Sequence, residues 1–176
     1  TWLDLGDLAL DELPPGLGQL THLQHLALGK ERFDLEIEDR IGWVKDQNRP
    51  TQAFTDLSSL VNLSELTTLS LWGCESVSDL GPLRTLTELR VLDLTGCALV
   101  SDFEPLRTLS GLTTLRLNGC ALLPDLEPLR TLTELRVLDL SGCALVSDFG
   151  PLRTLTALTK LFLNGCALLP DLEPLR

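Results

Sequence analysis

The sequence repeats itself with a period of 23 residues, and this period limits the folds that the chain can adopt. Two adjacent stretches, 83–128 and 129–174, differ at only six of their 46 positions. A short unit repeated in this way cannot bury its apolar face alone, so stacking of successive units must build the core. The repeat therefore predicts a solenoid. The period is marked most plainly by the cysteines, which are Cys74, Cys97, Cys120, Cys143 and Cys166.

Each unit carries one leucine pattern, illustrated by LRVLDLTGCAL at 89–99. The Leu-Asp-Leu alternation at 92–94 predicts a short strand with its leucines on one face. Gly96 predicts a turn, after which we expect Cys97 and Leu99 to fold back into the core. The pattern begins near residues 1, 23, 66, 89, 112, 135 and 158, which predicts seven strands.

One step of the repeat is longer than the others. Leu23 and Leu66 are 43 residues apart, which is one repeat plus twenty residues. The excess lies in 31–54, a polar and charged segment that we interpret as an insertion within the second repeat, leaving the core. Alternation in DLEIE (34–38) and IGWV (41–44) is typical of a small hairpin. With this insertion, 1–176 reads as a single domain, and we expect it to be a fragment of a longer protein.

The pattern resembles leucine-rich repeats over nearly the whole chain. The segments SDFEPLRTL (101–109) and PDLEPLRTL (124–132) resemble the internalin-like bacterial subclass, although Cys replaces its usual Asn and the repeat is one residue longer. The Gly-Cys pair is similar to repeats of bacterial and plant intracellular immune-type receptors. The resemblance implies an α/β-type repeat solenoid: a horseshoe with a parallel concave β-sheet of about seven short strands, a mostly irregular or 3-10 convex side, and partner binding on the concave face.

The five cysteines raise the question of a disulfide or a metal site. Equivalent positions in stacked coils point the same way, whereas a disulfide needs Cβ atoms aimed at each other. Metal ligands must converge from short loops, and a 23-residue ladder does not converge. We therefore expect buried free thiols, no metal and no cofactor. Free thiols favour a reducing, cytoplasmic location, with a secreted protein as the alternative.

Two charged rows follow the same period. We expect the aspartates to cap backbone N–H groups of a tight turn rather than to bind calcium, since only one carboxylate per coil faces this way. The arginines are expected to lie on the convex side, with Arg84–Glu88 and Arg130–Glu134 spaced as helical ion pairs. The rows are Asp79, Asp102, Asp125, Asp148 and Asp171, and Arg84, Arg107, Arg130, Arg153 and Arg176.

Several classes of function find little support in the composition. A formal charge of −11 argues against a nucleic-acid partner. No apolar run reaches the ~18 residues of a membrane span, and the first residues lack the pattern of a signal peptide. The two histidines, His22 and His25, lie far along the solenoid from the cysteines, and no catalytic motif occurs. We do not expect an enzyme.

The outward positions of the predicted strands vary where the leucines do not. A face that served only for stacking would have no reason to vary, so we predict a partner-binding surface there. Asp93, Arg116 and Asp139 could instead simply pair across neighbouring strands. The predicted contacts are Trp72, Arg90, Arg116, Arg136, Lys160 and Phe162, with Trp43 of the insertion forming a side wall.

These observations favour a protein-binding recognition module, the sensor or interaction part of a larger bacterial protein, with a protein as partner. One alternative is a secreted or surface adhesin or effector of the internalin type. Another is an architectural spacer, or a unit that self-associates through uncapped ends. An enzyme that uses this segment to choose substrates would show its chemistry only in flanking sequence.

Overall fold

The Leu-x-Leu alternation forms seven parallel strands, as predicted. The computed structural model describes residues 1–34, 42–45 and 48–166, and for 31–34 and 42–45 the backbone alone. The strands join one sheet in chain order, interrupted only by an antiparallel pair, β3 and β4. The sheet strands are β1 (Trp2–Asp4), β2 (His25–Ala27), β5 (Thr68–Ser70), β6 (Val91–Asp93), β7 (Thr114–Arg116), β8 (Val137–Asp139) and β9 (Lys160–Phe162).

The 23-residue step sets the register of the sheet. Leu92 pairs with Leu115 and Leu115 with Leu138, so the central leucines of successive strands stack in one inward column. All three are fully buried. Burying one leucine side chain contributes roughly 1.5–3 kcal/mol, and each coil supplies the surface on which the next coil buries its own.

In the first six coils the returning side is a short 3-10 helix, which matches the predicted convex side; the returning side of the seventh lies outside the described residues. Pro at the first or second position fixes the backbone φ of four of these helices, and an aspartate accepts the first exposed N–H. Oδ1 of Asp79 lies 2.7 Å from the amide nitrogen of Gly81, and that of Asp102 lies 2.9 Å from the amide nitrogen of Glu104. The helices are Leu17–Gln19, Ser58–Leu60, Gly81–Thr85, Glu104–Thr108, Glu127–Thr131 and Gly150–Thr154.

The capping role predicted for the aspartate row is confirmed at four of its five positions. Asp125 and Asp148 make the equivalent contact at 2.9 and 2.8 Å, while Asp171 lies outside the described residues. Threonine hydroxyls also join the coils here: Thr108 donates to the carbonyl of Arg84 at 3.0 Å. The Asp and Thr that recur in this segment are thus explained by turn geometry and stacking.

The predicted partners of the arginine row are wrong. Arg107 pairs with Glu104 at 2.6 Å and Arg130 with Glu127 at 3.3 Å, three residues earlier in each case. A 3-10 helix has three residues per turn, which aligns positions i and i+3. Glu134 lies beyond the end of its helix, and Glu88 contacts Arg90 rather than Arg84.

The prediction that Leu99 folds back into the core after the turn is wrong. Cys97 is buried, as expected, but Leu99 is 55% exposed and Val100 takes the place in the core. Gly96 adopts a left-handed conformation with φ +76°, and the amide of Val100 donates to the carbonyl of Cys97. Inward side chains are therefore three residues apart here rather than two. The equivalent residues Leu122 and Leu145 are exposed for the same reason.

The insertion contains an antiparallel hairpin, as its alternation predicted. It is formed by β3 (Glu31–Asp34) and β4 (Gly42–Lys45), so the first strand begins three residues earlier than expected. Residues 35–38 of the predicted first strand lie outside the described residues. No helix within the described parts of the chain is long and apolar enough to cross a bilayer.

The segment that leaves the core is shorter than predicted, because its last residues return to the solenoid. Phe54 is 1% exposed, and counting back 23 residues from the buried Val77 leads to it. The amide of Phe54 donates to the carbonyl of Leu10, and Gln52 donates to the carbonyl of Gly6. Arg49, also buried, pairs with Asp4 at 2.8 Å, which fastens the insertion to the first coil.

Phe54→Ala tests whether this segment belongs to the core. Truncating a fully buried phenylalanine leaves a cavity, and we expect a loss of about 3–5 kcal/mol in the free energy of unfolding. The exposed neighbour provides the control, since Thr55→Ala should change stability by less than about 0.5 kcal/mol. Urea unfolding followed by circular dichroism measures both, and equal effects would contradict the assignment.

Candidate functional site

Three positions in each coil face away from the core, and each position forms one row of residues along the sheet. We call this surface the concave face: in the last coil it comprises residues 160, 162 and 164, and in earlier coils their equivalents. Because the strands are in register, equivalent residues lie about 4.8 Å apart along the face. We number the coils one to seven in chain order. In coil four these positions are 91, 93 and 95, and in coil six they are 137, 139 and 141.

Several residues in the N-terminal half of the concave face are more buried than predicted. Thr68 and Ser70 are buried, and Trp72, expected to point into solvent, is half-buried. Its backbone carbonyl accepts a hydrogen bond from the amide of Lys30 at 2.8 Å, at the base of the insertion. Trp72 therefore lies in a packed environment and is only partly exposed.

The alternative interpretation, that Arg116 pairs with an aspartate on a neighbouring strand, is confirmed for Asp93. Nη1 of Arg116 lies 3.0 Å from Oδ2 of Asp93, a fully buried carboxylate. The other oxygen of Asp93 accepts the amide of Thr95 at 2.8 Å, so the carboxylate also caps the turn that leaves the strand. Removing Arg116 would leave the buried Asp93 carboxylate without this partner, which gives Arg116 a structural role.

Arg90 is exposed but folded against the next coil. Its guanidinium contacts Glu88 at 3.4 Å and the carbonyl of Leu89 at 3.3 Å. Nη1 lies 2.1 Å from where a Cβ atom would be at Gly111, so only glycine at 111 permits this conformation. Ala157 stands at the position equivalent to Gly111, so we expect its Cβ atom to exclude this conformation for Arg136.

Three of the predicted contact residues are accessible in the last two described coils of the face. Lys160 and Phe162 are exposed, Phe162 by 43%, and Arg136 is exposed one coil earlier. Val137 pairs with Lys160, and Asp139 with Phe162, in the sheet register. Arg136, Lys160 and Phe162 are therefore neighbours, whereas Trp72 is four strands, or about 19 Å, away. The side chain of Trp43 lies outside what the structure describes.

Sequence reasoning missed the part played by the residues at 111 and 157. The signal was present in the six differences between the two copies, where glycine at 111 becomes alanine at 157. It could be interpreted only once the structure placed Arg90 over that glycine.

The cysteines form a hydrogen-bonded ladder behind the sheet, as the prediction of buried thiols implied. Sγ of Cys97 donates to the carbonyl of Leu71 at 3.3 Å, one coil earlier, and Cys120 repeats the contact with Leu94. All five thiols are free. Burial raises the pKa of Cys74 and of Cys143 to about 12, so both are protonated at neutral pH. A protonated, buried thiol is a poor nucleophile and metal ligand.

The two histidines belong to the N-terminal coils. Nδ1 of His25 lies 3.0 Å from Oγ1 of Thr68, and burial, with the nearby positive N-terminus, lowers the pKa of His25. His22 contacts Glu65 at 2.8 Å on the surface. Among the described residues, no group of three or more His, Cys, Asp or Glu side chains could hold a metal ion.

The thiol ladder predicts a loss of stability at alkaline pH. An unfolded thiol ionises near pH 9, whereas the folded thiols of Cys74 and Cys143 ionise near 12. The stabilisation is thus complete below pH 9 and is lost as the pH rises toward 12, by up to about 1.4 kcal/mol per thiol and pH unit. Thermal unfolding between pH 7.5 and 10.5 should show this decline.

The variant Cys74→Ala with Cys143→Ala serves as the comparison for that measurement. It retains the same lysines and arginines, so their titration cancels in the comparison. Its stability should fall less steeply with pH than that of the unchanged chain. The same slope in both proteins would contradict the role of the thiols.

Comparisons with known proteins agree with this architecture. A family model described as leucine-rich repeats in two copies matches residues 64–108 and 110–154. A search of curated proteins finds no match. Among solved structures, the internalin inlF of Listeria monocytogenes is 24% identical with a TM-score of 0.68, and the match covers 93% of this chain and 40% of that one.

A second internalin of the same organism, inlC2, is also 24% identical, with a TM-score of 0.64. The match covers 99% of this chain and 75% of inlC2. At this level of identity, the two internalins show a common fold. The chain spans less than half the length of inlF. The two stretches matched by the family model make up half of the sequence, and the chain belongs to the leucine-rich repeat family.

Proposed function

We propose that this chain is a protein-binding module that recognises its partner with the C-terminal part of the concave face. The observation that carries the proposal is the position of the six differences between stretches 83–128 and 129–174. No buried leucine or cysteine changes. Four of the six lie on the concave face or against an arginine at its edge: Thr95/Ser141, Gly111/Ala157, Thr114/Lys160 and Arg116/Phe162.

The nature of these changes supports recognition rather than stacking. Arg116 forms an internal ion pair, whereas Phe162, at the equivalent place, exposes 43% of its surface to water. An exposed aromatic ring gives a coil no folding advantage, but aromatic and arginine side chains are enriched among interface hot spots. The change of Thr114 to Lys160 adds a second exposed side chain beside the ring. Recognition therefore centres on Phe162, Lys160 and Arg136.

A protein is the partner that suits the charges. The chain carries a net charge of −11, and on its convex side Arg107 and Arg130 are already paired with glutamates. Such a surface repels a polyphosphate. Five free thiols suit a reducing compartment, so the proposal places this module in the cytoplasm, as the recognition part of a larger protein. The proposal assigns binding and no catalytic step.

The experiment uses the earlier copy as a guide to harmless substitutions. The double variant Lys160→Thr with Phe162→Arg gives the strand of coil seven the sequence of the strand of coil five. That sequence already forms a strand in this solenoid. The control is Glu104→Gly, which makes one of the two remaining exchanges between the copies, on the convex side. Each protein is immobilised as bait in a lysate of the source organism, and captured proteins are quantified by mass spectrometry.

We expect the unchanged chain and Glu104→Gly to capture the same protein, and the double variant to lose it. Removing one hot spot typically costs about 2 kcal/mol or more, which corresponds to roughly thirtyfold in affinity. Circular dichroism should show that all three baits are folded. Equal capture by all three would show that this face is not the site. Capture of nothing by any bait would favour an architectural spacer.

A further inference from the structure

A second surface, outside the concave face, exposes leucine in successive coils. Leu99, Leu122 and Leu145 are 55%, 43% and 53% exposed, and each follows an exposed alanine. The strands are in register, so equivalent residues of adjacent coils stack about 4.8 Å apart. We call this surface the leucine column: Ala98, Leu99, Ala121, Leu122, Ala144 and Leu145.

The leucines of the column have no evident role in the fold. The core position of each turn is filled by the next residue, Val100, Leu123 or Val146. Neighbouring 23-residue units, such as 83–105 and 106–128, differ at nine positions, yet both retain the Ala-Leu pair. Other exposed residues that recur in every unit do have structural contacts, since Asp102 caps a turn and Thr108 bonds the previous coil. An exposed leucine that recurs without such a contact points to binding.

The column has different neighbours on its two sides and at its start. On one side, three residues after each leucine, stand the exposed carboxylates of Asp102, Asp125 and Asp148. The strand ends on the other side carry neutral polar residues at 95, 118 and 141. In the preceding coil the pair is replaced by Glu75 and Ser76, and Glu75 contacts Lys30 at 3.6 Å. The column is therefore a bounded apolar surface with one acidic flank.

We propose that the leucine column binds an amphipathic α-helix of a partner protein, with apolar residues at i, i+4 and i+7 and lysine or arginine along one flank. A helical turn rises 5.4 Å, so three apolar side chains over two turns match three leucines spaced about 4.8 Å apart to within roughly 1 Å. The basic flank lies against the aspartate row, and the helix buries the leucines.

A second copy of this chain fits the column less well than a basic helix does. Each copy carries a net charge of −11, so association would bring like charges together. A stable dimer also buries about 800 Å² on each partner, more than three half-exposed leucines and three alanines provide. The acidic flank is thus the feature that selects the occupant.

The probe is a synthetic amphipathic helix of about 14 residues with leucine at the three apolar positions and lysine on the flank. A second peptide keeps the leucines and replaces each lysine with glutamate. Binding to the chain is measured by isothermal titration calorimetry. We expect the lysine peptide to bind with micromolar affinity and the glutamate peptide to bind at least about tenfold more weakly.

The protein variant that tests the column is Leu99→Ser with Leu122→Ser and Leu145→Ser, which should remain folded because these side chains are outside the core. It should bind the lysine peptide at least about tenfold more weakly than the unchanged chain. The Lys160→Thr, Phe162→Arg variant should bind this peptide as the unchanged chain does, which separates the column from the concave face.

Three results would overturn the proposal. The first is unchanged binding of the lysine peptide to the serine variant, which would reduce the interaction to attraction between a cationic peptide and an acidic protein. The second is equal binding of both peptides, or of neither. The third is a dimer of the unchanged chain, seen by light scattering and lost in the serine variant, which would make a second copy the occupant.

Discussion

The stacking of leucines in strict register between coils is the interaction on which the rest of this structure depends. Leu92, Leu115 and Leu138 occupy the same place in successive strands, and none is exposed to solvent. Because a side chain changes face with every residue of a strand, a shift of one residue within a strand would turn that strand's leucines outward. Strands, thiol ladder, capping aspartates and both candidate surfaces keep their alignment only while this register holds.

Features that depend on one coil and on the repeated positions of its neighbour could be predicted from the sequence. The seven strands follow from the Leu-x-Leu alternation, and the inward thiols from its continuation through Gly96 to Cys97. The capping role of Asp102 follows from its place before a proline-containing turn. In each case the decisive contacts are local or lie one period away, so the sequence contains both partners.

Predictions failed where the backbone changed its period or where a neighbour differed. Leu99 was expected inside because the family pattern continues through it, yet the left-handed turn at Gly96 makes the next inward residue Val100. The partial burial of Trp72 depends on its neighbours in adjacent coils, which a single-coil pattern does not consider. The pairing of Arg116 with Asp93 was one of the two interpretations that the sequence left open. The return of Phe54 to the core was available by counting back one period from Val77.

The two candidate surfaces show opposite relations between repetition and use. In a solenoid, core and turn positions are constrained by stacking, so their identity in every coil needs no functional cause. Change is informative where the scaffold places few demands, as when Phe162 stands in the place of Arg116. Constancy is informative where the scaffold would tolerate change, as at the exposed Leu99 and Leu122. A partner that reads the residues particular to one end of the face suits the first case, whereas one that spans several equivalent coils, such as a helix, suits the second.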